Sequence, residues 1–230
     1  MMTFTHTHKN IITIAILFMA ALLQGCAGMV KLTDEDRAEL KSVDQVKAVY
    51  LRAGWPSIQT PMGVLASNLT FGMSEDWSAG QKLVKKFDIA DPSKMAMDKF
   101  VAEINRGAKV ANFVTDAEPL AYEDRTAEKM KEKFGQGVVL QFSSPMWQIW
   151  YYPMNWVRYQ MWYGTSAQLI RLDDAKVLWS GRCRADQKDS ETAPTFDELT
   201  GDNSTVLKAW VEDSTARCAK ELIDDFMGKV

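Results

Sequence analysis

The spacing of apolar residues changes several times along this chain, and each change marks an element. Residues 11–23 are one nearly unbroken apolar run, shorter than the roughly 20 residues a helix needs to cross the hydrocarbon of a bilayer. The stretch 27–42 that follows is polar and charged and reads as a tether, with a helical turn over 34–40. Residues 43–51 carry β-branched and aromatic side chains and predict a first strand, stopped by Gly54-Trp55-Pro56. Between 56 and 87 the apolar positions are scattered among glycines, which predicts low order or short helical pieces. Asp91-Pro92 is a helix start, Asp as the cap and Pro in the first turn, and Met95, Phe100, Val101 and Ile104 continue a helical stripe as far as Gly107. A strand over 109–114 and a helix at 126–134 follow, and Gly135-Gln136-Gly137 ends that segment.

The second half is strand-rich. Residues 138–143 predict a short central strand. From 156 to 172 the pattern alternates, with Val157, Tyr159, Met161, Tyr163, Thr165, Ala167 and Leu169 on one parity. Trp156, Arg158, Gln160, Trp162, Ser166 and Gln168 occupy the other. This predicts a long strand with a core face and a polar face that carries tryptophans. Asp173-Asp174-Ala175 turns the chain, and 176–184 returns as the hairpin partner. A closing helix spans 204–226, its inner face formed by Leu207, Trp210, Val211, Ser214, Cys218, Leu222 and Phe226.

Composition narrows the chemistry. Both histidines, His6 and His8, lie in the first 25 residues, so a chain that loses this leader has none. The residue most used for proton transfer near neutral pH, and the commonest metal ligand, is then missing. No metal or other cofactor is expected, and no catalytic residue is assigned. The same cut removes Lys9 and takes the formal charge from −3 to −4. No basic stripe collects phosphates, which argues against a nucleic-acid partner. Adjacent carboxylates such as Asp173/Asp174 and Asp224/Asp225 do not face each other as a glycosidase pair must.

Two cysteines follow the leader region, Cys183 on the inward parity of its strand with Val177 and Trp179, and Cys218 on the inner helix face. A disulfide between them would tie the last helix to the sheet. Two separate buried thiols are the alternative. The densest constellation is aromatic: Trp147, Trp150, Tyr151, Tyr152, Trp156 and Trp162, interrupted by Pro145 and Pro153. Such a cluster can be a satellite core, a surface for a protein partner or membrane interface, or a platform on which sugars stack.

Leu23-Gln24-Gly25-Cys26, at the end of the apolar run, resembles the lipobox of bacterial lipoproteins. The resemblance implies export, acylation of Cys26 and cleavage before it. It also implies anchorage by several acyl chains, which hold stably where one does not. Ala27 after the cysteine implies delivery to the outer membrane. Leu169-Ile170-Arg171-Leu172-Asp173, followed by Lys176-Val177-Leu178-Trp179-Ser180-Gly181, resembles the strand–turn–strand of small envelope lipoproteins. The general shape is similar to the α/β domains of outer-membrane assembly lipoproteins and to the N-terminal domain of TolB-type periplasmic proteins. These families imply binding to other envelope components rather than catalysis.

The expected organisation is a leader at 1–25, a lipidated tether at 26–42, and one α/β (α+β) domain at 43–230. That domain has a mixed or mostly antiparallel sheet, helices on one face, and a C-terminal helix tied to the sheet by the disulfide. The expected role is a non-catalytic lipoprotein on the periplasmic leaflet of the outer membrane that binds or supports another envelope protein. Binding or cleavage of envelope glycan at the aromatic cluster is the second reading.

Overall fold

The computed structural model describes residues 29–61, 77–107, 110–186 and 190–229. The leader and Cys26 lie outside them. Its largest feature is an antiparallel hairpin of two long strands, β4 (Val138–Tyr152) and β5 (Asn155–Arg171), joined by Pro153-Met154. A second turn returns β6 (Lys176–Asp186) along the other side of β5. Two short strands share the free side of β4. β1 (Val46–Tyr50) runs parallel to its first half, and β2 (Ser57–Gln59) runs parallel to its second. β3 (Phe113–Thr115) adds to β1, so the mixed six-stranded sheet has the order β3-β1-β4-β5-β6, with β2 beside β4.

The hairpin register sets which side chains are inside. Val139 sits opposite Ile170, Leu140 opposite Leu169, and Phe142 opposite Ala167. Because side chains alternate along a strand, the Leu140, Phe142, Ala167 and Leu169 parity forms the main core. The two long helices, α3 (Pro92–Gly107) and α6 (Thr205–Phe226), cover it. They share one face, as the sequence predicts. The other parity, Val139 and Ile170, joins Val49, Leu120, Met130 and Leu172 in a small second core on the opposite face, under α4 (Ala127–Phe134). That cover reaches only one end of the sheet.

Close packing of α6 on β6 centres on Trp179, Phe226 and the disulfide. Trp179 is buried, packs edge-on against Phe226 at 5.2 Å between ring centroids, and donates its indole N–H to Asp225 at 2.9 Å. A side chain at Gly181 would meet the Trp179 ring at 2.6 Å and Leu222 at 2.7 Å, so only glycine lets the helix lie this near. Cys183 and Cys218 are bonded, with Cα atoms 5.3 Å apart. At the start of α3, Asp91 accepts hydrogen bonds from the N–H groups of Ser93 (2.9 Å) and Ala53 (3.2 Å), tying the helix N-terminus to the segment after β1. Burial pushes its carboxyl pKa up despite those bonds.

Four expectations change. Folded structure starts before residue 43: Leu32 and Leu40 are buried in the core. α1 (Asp34–Leu40) is capped by Thr33 and held by long-range pairs, Lys176 to Asp36 at 2.9 Å and Arg171 to Glu39. The strand expected at 138–143 continues to Tyr152, because a bulge between Ser143 and Met146 accommodates Pro145 without ending the pairing. The strand expected at 109–114 is only Phe113–Thr115, clamped to α3 by the Asn105 amide, which bonds both the N–H and the carbonyl of Phe113. Within 56–87 lie β2 and an amphipathic helix, α2 (Trp77–Phe87), while residues 62–76 are outside the described set.

Replacing Cys183 and Cys218 by Ser should lower unfolding free energy in urea by about 3–4 kcal/mol, as the chain-entropy relation gives for a crosslink of this span. Two titratable thiols from these positions in wild-type protein unfolded without reductant would contradict the bond.

Candidate interaction surface

The hairpin register divides the aromatic segment between two faces. Trp147 is opposite Tyr163, Ile149 opposite Met161, and Tyr151 opposite Tyr159. Trp147, Ile149, Tyr159, Met161 and Tyr163 are buried, and Tyr151 packs against the same core while half-buried. This row is structural. Tyr163 shows how firmly: its hydroxyl donates to the Pro92 carbonyl at 3.2 Å and lies 2.9 Å from Ser144 Oγ, and burial pushes its pKa up to about 12.

The alternate row faces away from α3 and α6. Gln148 is opposite Trp162 and Trp150 opposite Gln160, so the two tryptophans are diagonal neighbours. Their rings stack at 4.9 Å between centroids with 19° between planes. Each indole N–H donates to the glutamine two residues earlier in its own strand, Trp150 to Gln148 at 3.1 Å and Trp162 to Gln160 at 3.0 Å. From β6, the Arg184 guanidinium lies 4.9 Å from the Trp162 ring centre while bonding Asp186 at 2.8 Å. The order is therefore Trp150, Trp162, Arg184, a stack in which the middle ring is covered on both sides. Stacking of this kind contributes about 0.5–1.5 kcal/mol beyond area burial. Because a sugar needs an open ring face, Trp162 offers no stacking platform.

Exposure concentrates at the hairpin tip. Met154 is 97% exposed, Trp156 65% and Val157 63%. Val157 has the parity of the core row, and the sequence pattern places it inside. The covering layer stops short of it: the last covered residue of that row is Tyr159, against Phe196 of the short helix α5 (Phe196–Thr200) at 5.3 Å. Trp156 is steadied by one bond, its N–H to the Pro153 carbonyl at 2.6 Å. Tyr152 is half-buried at the last pair, opposite Asn155. Beyond the end of β6, the outer side of β5 is held by a crossing loop, with Tyr159 N–H donating to the Pro194 carbonyl and Arg158 to that of Ala193.

Of the six aromatic residues singled out from sequence, the fold thus buries Trp147, leans Tyr151 on the core, half-buries Tyr152 at the last pair, stacks Trp150 on Trp162 and leaves Trp156 most open. Met154, Val157 and Arg184 were missed. One signal for the stack was legible: Gln148-Ile149-Trp150 and Gln160-Met161-Trp162 are the same Gln-x-Trp triplet in facing strands. Among the described residues there is no group of three or more His, Cys, Asp or Glu side chains able to hold a metal ion, and no helix is long and apolar enough to cross a membrane.

No protein-family model matches the chain, and no curated protein matches it. Several solved structures match over most of its length. PelC from Paraburkholderia phytofirmans, described as a dodecamer, is 11% identical, with 87% of this chain and 94% of that chain covered at a TM-score of 0.38. Protein XCC0632 from Xanthomonas campestris, of the DUF330 family, is 10% identical, covering 81% and 86% at 0.41. The matches include a bacterial lipoprotein, GNA1162 from Neisseria meningitidis, 14% identical, covering 73% and 96% at 0.26. Likeness at this level carries no functional information.

If the stack is self-supporting, Trp150→Ser and Trp162→Ser should each destabilise, and the double variant should show a coupling of about 0.5–1.5 kcal/mol in urea unfolding. Trp156→Ser should change stability by less than about 0.5 kcal/mol. Additive losses at 150 and 162 would show that the rings do not support each other.

Proposed function

We propose that this chain is a non-catalytic, lipid-anchored protein of the bacterial cell envelope that binds another envelope protein through the tip of its β4–β5 hairpin. In this reading the leader exports it, Cys26 carries the acyl chains, and the outer membrane holds it on the periplasmic leaflet. The observation that carries the binding role is the tip itself. Met154, Trp156 and Val157 are clustered, apolar and open, at the end of a hairpin whose inner row is buried and whose outer tryptophans are stacked. An apolar group of this kind at the end of a rigid arm favours a contact that removes it from water.

The position of the anchor favours a protein over the anchoring bilayer as the occupant. Val30, four residues after Cys26, is held at Ser180 of β6, whose partner in β5 is Gln168. Gln168 and Asn155 are thirteen positions apart in β5, which at the rise of a strand is about 40 Å. The tip is therefore remote from the point where lipid meets the fold. Glycan recognition has less support, since Trp162, the middle ring of the stack, has both faces covered.

Two experiments separate the parts. Cys26→Ala should leave the leader uncleaved and the chain without acyl groups, both read by intact mass; normal processing of that variant would refute the anchor. A photo-crosslinking side chain at Met154 should trap one discrete envelope protein in living cells. Trp156→Ser should reduce that adduct, and the same probe at Arg106 should not form it. Adducts only with lipid, glycan or a second copy of the chain would each replace the proposed occupant, and no adduct would refute the binding role.

A further inference from the structure

The route by which the chain enters the fold defines a second surface. Val30 is fastened in both directions: its N–H donates to Ser180 Oγ at 2.8 Å, and its carbonyl accepts the Ser180 N–H at 2.9 Å. Lys31 pairs with Asp225, Leu32 is buried, and Thr33 caps α1. No slack follows Val30. Upstream, Cys26 is four positions away, a reach of about 14 Å when fully extended.

Ser180 belongs to a row on β6. Cys183 points to α6 through its disulfide, so Ser180, Arg182 and Arg184 project from the opposite face, spaced about 7 Å apart. Both arginines are exposed. Arg184 is engaged by Asp186 and Trp162, whereas Arg182 forms no ion pair among the described residues. Met29 and Val30, 53% and 38% exposed, lie at the head of the same row. From Val30 onward the chain runs toward Lys176, which Asp36 binds.

We infer that the β6 edge of the sheet, with Arg182 and Arg184 beside the entering segment at Met29-Val30, lies against the phospholipid headgroups of the leaflet that holds Cys26. The inference rests on the lipoprotein reading. Given that anchor, an acyl-bearing residue within about 14 Å of Val30 keeps the Ser180 edge near the bilayer surface. The chemistry matches. Guanidinium groups bind phosphate through two parallel N–H bonds, and the exposed apolar pair beside them suits the boundary between headgroup and acyl chain. Edge strands are usually guarded by charge against pairing with other chains, and here the same charges meet an anionic surface.

The test uses acylated protein purified in uncharged detergent and then reconstituted into vesicles of phosphatidylethanolamine and phosphatidylglycerol. Arginines are modified with a dicarbonyl reagent and read by peptide mass spectrometry. Arg182 should react at least about fivefold more slowly on vesicles than in detergent, the factor expected for one basic side chain held at an anionic membrane surface. Arg106, at the end of the helix α3 that packs over β1, β3 and β4, should react equally in both. The Arg182→Gln variant should remain acylated and membrane-bound while protection at Arg184 falls. Equal labelling of Arg182 in both states, with intact mass showing the acyl chains in place, would overturn the orientation and leave the anchor standing. Absence of acyl chains would overturn both.

Discussion

Pairing of β4 with β5 is the constraint on which the rest of the molecule depends. The two strands are paired from Val138 with Arg171 to Tyr152 with Asn155, and irregularities near Pro145 and between Tyr151 and Tyr152 shift the register without breaking the ladder. A slip by one residue would exchange every inner side chain for an outer one. Leu140, Phe142, Ile149, Met161 and Leu169 would then lose the cover of α3 and α6, and the glutamines would be buried without partners. Short β1 and β2 add to the free side of β4 and have no independent reason to form.

Given that register, the character of each region follows from what covers it. Where α3 and α6 lie across the sheet, the inner parity is a continuous aromatic and aliphatic core built around Phe100, Phe142, Trp179 and Phe226. Where α4 reaches the other face, Val139 and Ile170 join a second small core. Past the reach of α4 the outer face is closed by Trp150 stacked on Trp162 beside Arg184, while the inner face stays buried as far as Tyr159, and at Met154, Trp156 and Val157 both faces are open. Arg171 closes the opposite end. It bonds both carboxylate oxygens of Asp174 (3.0 and 2.8 Å) as well as Glu39, and its guanidinium holds the Asp174 carboxyl down to about 2.

Much of this was legible because alternation and helical spacing are local. The inner row of β5 from Tyr159 to Leu169, the helix beginning at Asp91-Pro92, the turn at Asp173-Asp174-Ala175 and the facing positions of Cys183 and Cys218 all follow from residue order. What was not legible depends on distant partners. Leu32 and Leu40 sit in a charged segment that reads as a tether, and partners more than 130 residues away, Lys176, Arg171 and the Phe226 carbonyl, show that α1 is docked. Val157 has core parity, but periodicity does not say where a covering helix stops. Pro145 reads as the end of a strand, and only the register of β5 shows the ladder passing it. The same holds for the functional surface: tryptophan parity was visible, whereas the division into a stacked pair and an open tip requires the diagonal across two strands.

The central claim is that the hairpin, buried on its inner face and stacked on its outer one, stays ordered up to its turn and so presents its tip on a rigid arm. Native-state amide hydrogen exchange tests this most directly. Ladder amides between 147 and 151 and between 159 and 163 should exchange with free energies close to that of global unfolding, and only the turn around Met154 should exchange freely. If ladder amides around Trp150 and Trp162 instead exchange as fast as the turn, the outer hairpin frays in solution and the account of a rigidly presented tip is wrong.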